Sequence, residues 1–343
     1  MDAIDLRSDT VTRPCKKMIE AMFQAKVGDD VFEEDETVKL LEQKLAGIFG
    51  MEGGLFCPSG TMANQIAIKI LTQPGDEVIC DVLSHIYNYE GGGIAFNSGA
   101  SVRLIIGDKG IFSAADVLEN INSENVHLAK SSLVSIENTS NRGGGCCWKK
   151  EQVIAISDVC KNQQLNFHLD GARIFNALIK TGESPKDYGN LFNTISVCLS
   201  KGLGTPAGSV LIGNGDLIKK ARRVRKVMGG GMRQAGYLAA AGIYALDNNI
   251  ERLAEDHRRA KILEQYVKDF PFIEEVFPVE TNIVVFKLNA AVKSLDFIAL
   301  LEKQGIRTVP FGKQAIRMVT HLDIDDSKLD KAIVALKKTK YSF

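Results

Sequence analysis

The sequence predicts an α/β fold, with a large domain built on a mostly parallel sheet and a smaller C-terminal α+β domain behind it. Three observations lead there. Short apolar runs alternate with helical patterns through the middle of the chain, as the βα units of a parallel sheet require. From about Gly236 the texture changes to one long helical pattern and then to shorter mixed pieces. The length, 343 residues, is enough for about two domains at roughly 150 residues each. The division expected is residues 1–235, N-terminal segment included, and residues 236–343 with a connecting helix.

In chain order, the strands of the large domain are expected at residues 77–80, 102–106, 133–136, 166–169, 195–199 and 210–212. Turn formers punctuate them: Pro74-Gly75-Asp76 precedes the first, and Gly107-Asp108-Lys109-Gly110 follows the second. Helical patterns fall between, at residues 61–71, 114–120 and 150–162. A helical pattern then runs through residues 237–268, apolar on one face and charged on the other. After Pro271 come a strand at 283–288, a helix near 294–303 and strands around 307–309 and 316–319. A last helix opens at Asp326, where Asp325, Asp326 and Ser327 offer N-cap and first-turn chemistry.

Composition removes several classes of function. Lysine plus arginine and aspartate plus glutamate balance at 42 each, so no global field favours nucleic acid or an anionic membrane. No apolar run approaches the roughly 18 residues a membrane span needs. The acidic start, Met1-Asp2-Ala3-Ile4-Asp5, has no basic-then-apolar signal region, and a cytoplasmic protein is expected. The seven cysteines are odd in number and lack a CxxC spacing, and adjacent Cys146 and Cys147 suit neither a long-range disulfide nor a metal site alone. They read as reduced packing residues, and no metal is expected.

Ligands of an open α/β sheet sit beyond the carboxyl ends of its strands. Leu165, Phe167 and Leu169 alternate toward one buried face, which leaves Asp170 at a strand end before Gly171-Ala172-Arg173. The run 195–199 ends likewise in Ser200-Lys201-Gly202. A lysine and a carboxylate at strand termini are what pyridoxal phosphate needs: the amine condenses with its aldehyde, and the carboxylate keeps its pyridine nitrogen protonated. Taken singly, Asp170 reads equally as a helix cap and Lys201 as a surface lysine. Pro58-Ser59-Gly60-Thr61 precedes a helical stretch, where free N–H groups and the Thr61 hydroxyl suit a phosphate, or simply cap the helix. His85 could stack on a ring or move a proton, with His127 a second and weaker candidate. Arg317 alternates with apolar residues on its strand and fits a substrate carboxylate, with Arg173 and Ser8 as further candidates. The basic run 219–226 reads alone as a solvated helix face or a nucleic-acid patch.

Together these segments resemble the threonine aldolases of the β-eliminating lyase group, pyridoxal-phosphate enzymes of the aspartate-aminotransferase fold type (fold type I). The resemblance runs from Asp5-Leu6-Arg7-Ser8-Asp9-Thr10 through the PSGT loop, Asp170-Gly171-Ala172-Arg173-Ile174-Phe175-Asn176-Ala177, Leu199-Ser200-Lys201-Gly202-Leu203 and Gly229-Gly230-Gly231-Met232-Arg233-Gln234-Ala235-Gly236 to the Arg317 strand. It implies a seven-stranded, mostly parallel sheet and retro-aldol cleavage of L-threonine or L-allo-threonine to glycine and acetaldehyde. It also implies Lys201 on the cofactor aldehyde, Asp170 on the pyridinium, Gly60 and Thr61 on the phosphate, and His85 over the ring. Ser8, Arg173 and Arg317 would bind the substrate carboxylate or nearby cofactor oxygens. Lys226 and Arg233 would lie near the cofactor, in a homotetramer with active sites at a dimer interface. Three positions depart from the family: Phe32-Glu33 stand where Tyr-Gly is usual, and Ser140 where His is usual.

Three rivals compete. Another pyridoxal β-eliminating lyase or an aminotransferase-like enzyme would use the same lysine and aspartate. A catalytically silent binding protein has no use for the complete set Lys201, Asp170 and Arg317. A dehydrogenase would need GxGxxG directly after its first strand, and none of the glycine runs fits that.

Overall fold

The computed structural model describes residues 3–340; Met1 and Asp2 of the acidic start, and the last three residues of the expected second domain, lie outside it. The large sheet has seven strands. In chain order the strands of the whole protein are β1 (Ile4–Asp5), β2 (Gly53–Cys57), β3 (Asp76–Asp81), β4 (Ser101–Ile105), β5 (Lys130–Glu137), β6 (Asn166–Gly171), β7 (Thr194–Cys198), β8 (Ser209–Gly213), β9 (Ile273–Val276), β10 (Ile283–Leu288), β11 (Ile306–Arg307), β12 (Val309–Pro310) and β13 (Ala315–Val319). The large sheet runs β2-β8-β7-β6-β5-β3-β4, and only β8 opposes its neighbours. Strands β5, β6 and β7 are parallel, so their carboxyl ends share one edge.

Alternation along these strands sorts residues between two helical layers. Phe167, Leu169, Ile195 and Val197 join the main core with the helices Glu36–Phe49, Lys150–Asn162 and Gly236–Asn248. His168, Asp170 and Ser196 point the other way, beneath the helix Gly60–Leu71. That one pleat rule puts polar groups of β6 and β7 against a single helix.

All six expected sheet strands are present, with ends shifted by a few residues. Strand β2 escapes a propensity reading because it begins Gly53-Gly54. Gly54 is needed there, since a Cβ would stand 2.8 Å from the Glu42 carbonyl oxygen. The expected single helix over 237–268 is two, Gly236–Asn248 and Leu253–Lys268. At the break the Asn249 side chain turns inward and donates to the Leu203 carbonyl at 2.7 Å.

The second core gathers around an antiparallel sheet, β12-β13-β10-β9, with the helices Leu253–Lys268, Ser294–Lys303 and Asp326–Lys340. The expected strand at 307–309 divides: β11 pairs with β1, while β12 pairs with β13. Ile4 and Leu6 are buried in this second core, so the N-terminal segment packs with the C-terminal part of the chain. None of the described helices is long and apolar enough to cross a membrane.

Candidate active site

The register Glu137–Asp170–Ser196 lines up three polar residues across the carboxyl ends of β5, β6 and β7. Beyond β7 the chain turns through Ser200 and Lys201. The Lys201 carbonyl accepts hydrogen bonds from the Gly204 N–H (2.8 Å) and the Thr12 hydroxyl (2.9 Å), which pins the backbone from which the amine projects. Facing it is the start of the helix Gly60–Leu71. Ser59 Oγ accepts from the Met62 N–H at 3.2 Å. The N–H groups of Gly60 and Thr61 have no acceptor within the helix and face an incoming anion with the positive end of the helix dipole. These groups, with His85, surround one cleft of about 150 Å³.

The donor set fits pyridoxal phosphate. A lysine, a buried carboxylate and a helix start converge on one cleft, and Ser209 Oγ is buried there without a partner, 3.4 Å from where a Cβ on Gly60 would stand. An orphaned hydroxyl beside a helix N-terminus and a glycine leaves room and a donor for a phosphate oxygen.

Asp170, only 3% exposed, accepts from the Ala172 N–H (3.1 Å) and from Asn64 Nδ2 (2.9 Å). Glu90 accepts from Asn64 and from Gln65, and its Oε1 lies 2.9 Å from His85 Nδ1. Glu137 accepts from the backbone N–H of His85 (2.8 Å) and of Asn141 (2.9 Å). Burial and the nearby Asp170 charge push the Glu137 carboxyl above its ordinary value. Burial alone would pull the His85 imidazole down. Its bond to Glu90 and the charges of Asp170, Glu90 and Glu137 outweigh that and raise it.

Arg317 approaches from β13. Its Nη1 donates to Asn141 Oδ1 (2.9 Å) and its Nη2 to the Arg7 carbonyl (3.1 Å), while Nε is buried without a partner. Burial, with repulsion from Arg173, brings Arg317 down to about 10. A cation so placed gains from an arriving carboxylate. Arg173 is different, because two of its donors are already taken by Asp9, at 2.8 and 2.7 Å. Its Nη1 and the second hydrogen of Nη2 are left for a ligand. Ser8 Oγ accepts from the Thr10 N–H, on the segment whose Arg7 carbonyl holds Arg317.

The Asp9–Arg173 pair is almost wholly buried. Asp9→Ala leaves a buried guanidinium uncompensated and is expected to cost about 3–5 kcal/mol, read as a clear fall in melting temperature. An unchanged melting temperature would show that the pair contributes nothing. Burial alone would raise the Asp9 carboxyl, but the Arg173 charge and hydrogen bonds, with Lys201 and Asn282, hold it well below the ordinary 3.8. Its contribution is therefore complete above that value and is lost as pH falls through the lower, folded-state value.

Three expected residues stand elsewhere. His127 is exposed, just before the amino end of β5 and so at the opposite end of that strand from Glu137. Lys226 is exposed on the last turn of the helix Gly215–Val227. Arg233 is exposed and pairs with Asp29 at 3.0 Å. None of the three lines the cleft within this chain.

The sequence reading missed Asp9, Asn64, Glu90, Glu137 and His168. Asn64 had a signal, since it shares a helical stripe with Ile68 and Leu71, both buried, and a polar residue on an apolar stripe needs partners. Glu90 and Asp9 lie outside regular periodic segments and had none. Among the described residues, His85, Glu90 and Asp170 bring one ligand atom each within 4.8 Å of one another. Asn64 already donates to both carboxylates, and a cation would have to displace its amide.

Comparison with known proteins gives a consistent picture. The sequence pattern of the β-eliminating lyase family matches residues 5–291. The low-specificity L-threonine aldolase of Escherichia coli K12 is 41% identical over 337 residues, covering 95% of this chain and 96% of that one. A probable low-specificity L-threonine aldolase of Arabidopsis thaliana is 36% identical, covering 99% and 98%. Among solved structures, a Leishmania major threonine aldolase superposes with a TM-score of 0.86 at 22% identity, over 98% of this chain and 99% of that one.

Proposed function

The chain belongs to the β-eliminating lyase family, and from that premise we propose that it cleaves β-hydroxy-α-amino acids, L-threonine and L-allo-threonine first, into glycine and an aldehyde with pyridoxal phosphate as cofactor. The observation that carries this reading is the convergence of Lys201, Asp170 and the Gly60–Thr61 helix start on one cleft, with a desolvated Arg317 beyond it. Lys201 would hold the cofactor aldehyde, Asp170 its ring nitrogen, and Gly60, Thr61 and Ser209 its phosphate. When bound, the cofactor supplies the electron sink for the pair left on the substrate Cα.

The chain's own groups do the rest. Arg317, anchored on Asn141 and the Arg7 carbonyl, would grip the substrate carboxylate and so select which Cα bond breaks, with Ser8 and the free Nη1 of Arg173 as further donors. Such orientation is worth roughly 7–11 kcal/mol. His85 has Nδ1 committed to Glu90, so Nε2 is the atom that takes the β-hydroxyl proton, directly or through a water. Only the neutral ring accepts a proton, and its raised titration means that the rate climbs with pH through that higher value. His85→Asn is expected to lower turnover by about 10²–10⁴-fold while the cofactor stays bound. Unchanged turnover would remove His85 from the mechanism.

The surface beside the phosphate loop supports assembly. A groove of about 800 Å³ next to Ser59 and Thr61 is lined by Met62, Phe96, Val227 and Met228, and Phe96 and Val227 are 90% and 87% exposed. Large bare apolar residues there suit a second copy, and exposed Lys226 and Arg233 would then reach the neighbour's cofactor. We read the protein as a cytoplasmic homotetramer that contributes to glycine formation. The deciding experiment adds L-threonine and L-allo-threonine to the purified protein and measures products. Glycine with acetaldehyde supports the aldolase, whereas ammonia with a keto acid would replace it by a β-eliminating lyase.

A further inference from the structure

Asn64 lines the cleft beside Thr61 and Asp170, and its side chain joins two carboxylates, a serine and a histidine. It is 2% exposed, on the helix Gly60–Leu71. Its Nδ2 donates to Asp170 Oδ2 and to Glu90 Oε1, both at 2.9 Å. Its Oδ1 accepts from Ser196 Oγ at 2.5 Å and lies 3.2 Å from His168 Nε2.

The orientation of the amide is forced. Reversed, it would aim its oxygen at two carboxylates, where neither side has a proton to give. The groups behind it agree. Burial brings His168 down to about 4, so its ring is neutral and carries one proton. His168 Nδ1 meets both the Thr194 hydroxyl, at 2.8 Å, and the Thr194 carbonyl, at 3.1 Å. Asn64 Oδ1 can only accept, so the ring's one proton belongs on Nε2, and Nδ1 then accepts from the Thr194 hydroxyl. Hydrogen bonds thus run from Thr194 through His168 to Asn64 and end on the two carboxylates.

Glu90 is the second branch point. Asn64 and Gln65 occupy it with two amide donors, Gln65 Nε2 at 2.6 Å, and Asn97 in turn donates to Gln65 at 3.1 Å. The third position faces His85 Nδ1, which must bring the hydrogen. We propose that Asn64 and Glu90 are positioning residues: together they aim the Asp170 carboxylate at the cofactor ring nitrogen and hold His85 with its proton on Nδ1 and Nε2 turned to the substrate. The groups facing the His85 ring are Glu90 from the loop that follows it, Asp170 of β6 and Glu137 of β5, the Tyr89 ring at 5.5 Å and, across the cleft, Lys201. Of these Glu90 alone is bonded to the ring, so its carboxylate is the acceptor that keeps the ring's proton on Nδ1.

This rests on the pyridoxal reading for the identity of the ring, but not for the titration of His85, and the two are separable. The test uses two nearly isosteric variants of the full-length protein, Glu90→Gln and Asn64→Asp, with and without pyridoxal phosphate. The five histidines are followed by NMR of isotope-labelled imidazole, with His85 assigned by its loss in His85→Asn. Glu90→Gln is expected to lower the His85 midpoint by about one unit or more in both states and to move the acidic limb of the rate–pH profile with it. Asn64→Asp replaces the shared donor by a third carboxylate facing Asp170 and Glu90. It is expected to weaken pyridoxal phosphate binding, read by absorbance titration, by about tenfold or more, and to raise the His85 midpoint. If Asn64→Asp does not fold, Ser196→Ala removes a single bond to the same amide and is expected to weaken cofactor binding by a smaller, measurable factor. A His85 midpoint in Glu90→Gln equal to that of the parent overturns the proposal. So does cofactor binding unchanged in Asn64→Asp, or in Ser196→Ala where that variant stands in for it. Failure of the parent protein to cleave threonine would sink the reaction assignment while leaving the midpoint result standing.

Discussion

Changing Lys201 to Ala is expected to abolish the absorbance near the visible edge that pyridoxal phosphate gives when an amine of the protein holds its aldehyde, and to remove turnover with it. The Lys201 carbonyl is pinned by Gly204 and Thr12, so the amine enters the cleft from a fixed point facing the helix start at Gly60. No such backbone restraint holds a free amine from solution. The orientation lost with the side chain is worth roughly 7–11 kcal/mol, so a fall in kcat/KM of at least about 10³-fold is expected. Folding should survive, because Lys201 is only half-buried and its carbonyl bonds do not involve the side chain. Persistence of the band in Lys201→Ala would mean that another lysine holds the cofactor, and the site would have to be moved.

Lys201 and Asp170 were legible in the sequence because being at the end of a strand is a local property. Phe167 and Leu169, like Ile195 and Val197, alternate toward the core; Asp170 directly follows the first pair, and Lys201 comes three residues beyond β7, both at the same sheet edge. The expected helices at residues 114–120 and 150–162 agree with Ala114–Asn120 and Lys150–Asn162 for a similar reason, their periodicity and their turns being local. What escaped depends on distant partners. Asn64 meets Asp170 across 106 residues and Asp9 meets Asn282 across 273, and no pattern within either segment announces the other. His127 shows the converse failure. Its residue type suits proton transfer, but its position before the amino end of β5 puts it at the far edge of the sheet. The break in the helical pattern near Asn249 was hidden because the bond to Leu203 that stabilises the turn spans 46 residues.

Asp170→Asn separates charge from shape at the same position and is the second change with a large expected effect. The amide has the size of the carboxylate, and its oxygen can still accept from the Ala172 N–H. Its nitrogen would then face Asn64 Nδ2, donor against donor. Asn64 cannot turn to relieve this, since its Oδ1 is held by Ser196 and approached by His168. One buried donor is left unmet, at about 1–3 kcal/mol, and the melting temperature should fall accordingly. The catalytic loss is separate and larger. A neutral amide does not hold a proton on the cofactor ring nitrogen, and removing one such preorganised group costs about 10²–10³ in kcat. Asp170→Glu supplies the contrast, because it restores the charge but displaces it by one methylene, in a site where a 1 Å misplacement costs about 10²-fold. If charge governs, Asp170→Glu should recover the spectrum of the bound cofactor while Asp170→Asn does not. If position governs, both variants should fail alike. Wild-type kcat in Asp170→Asn would show that the ring nitrogen needs no anion here, and the pyridoxal assignment of this carboxylate would be abandoned.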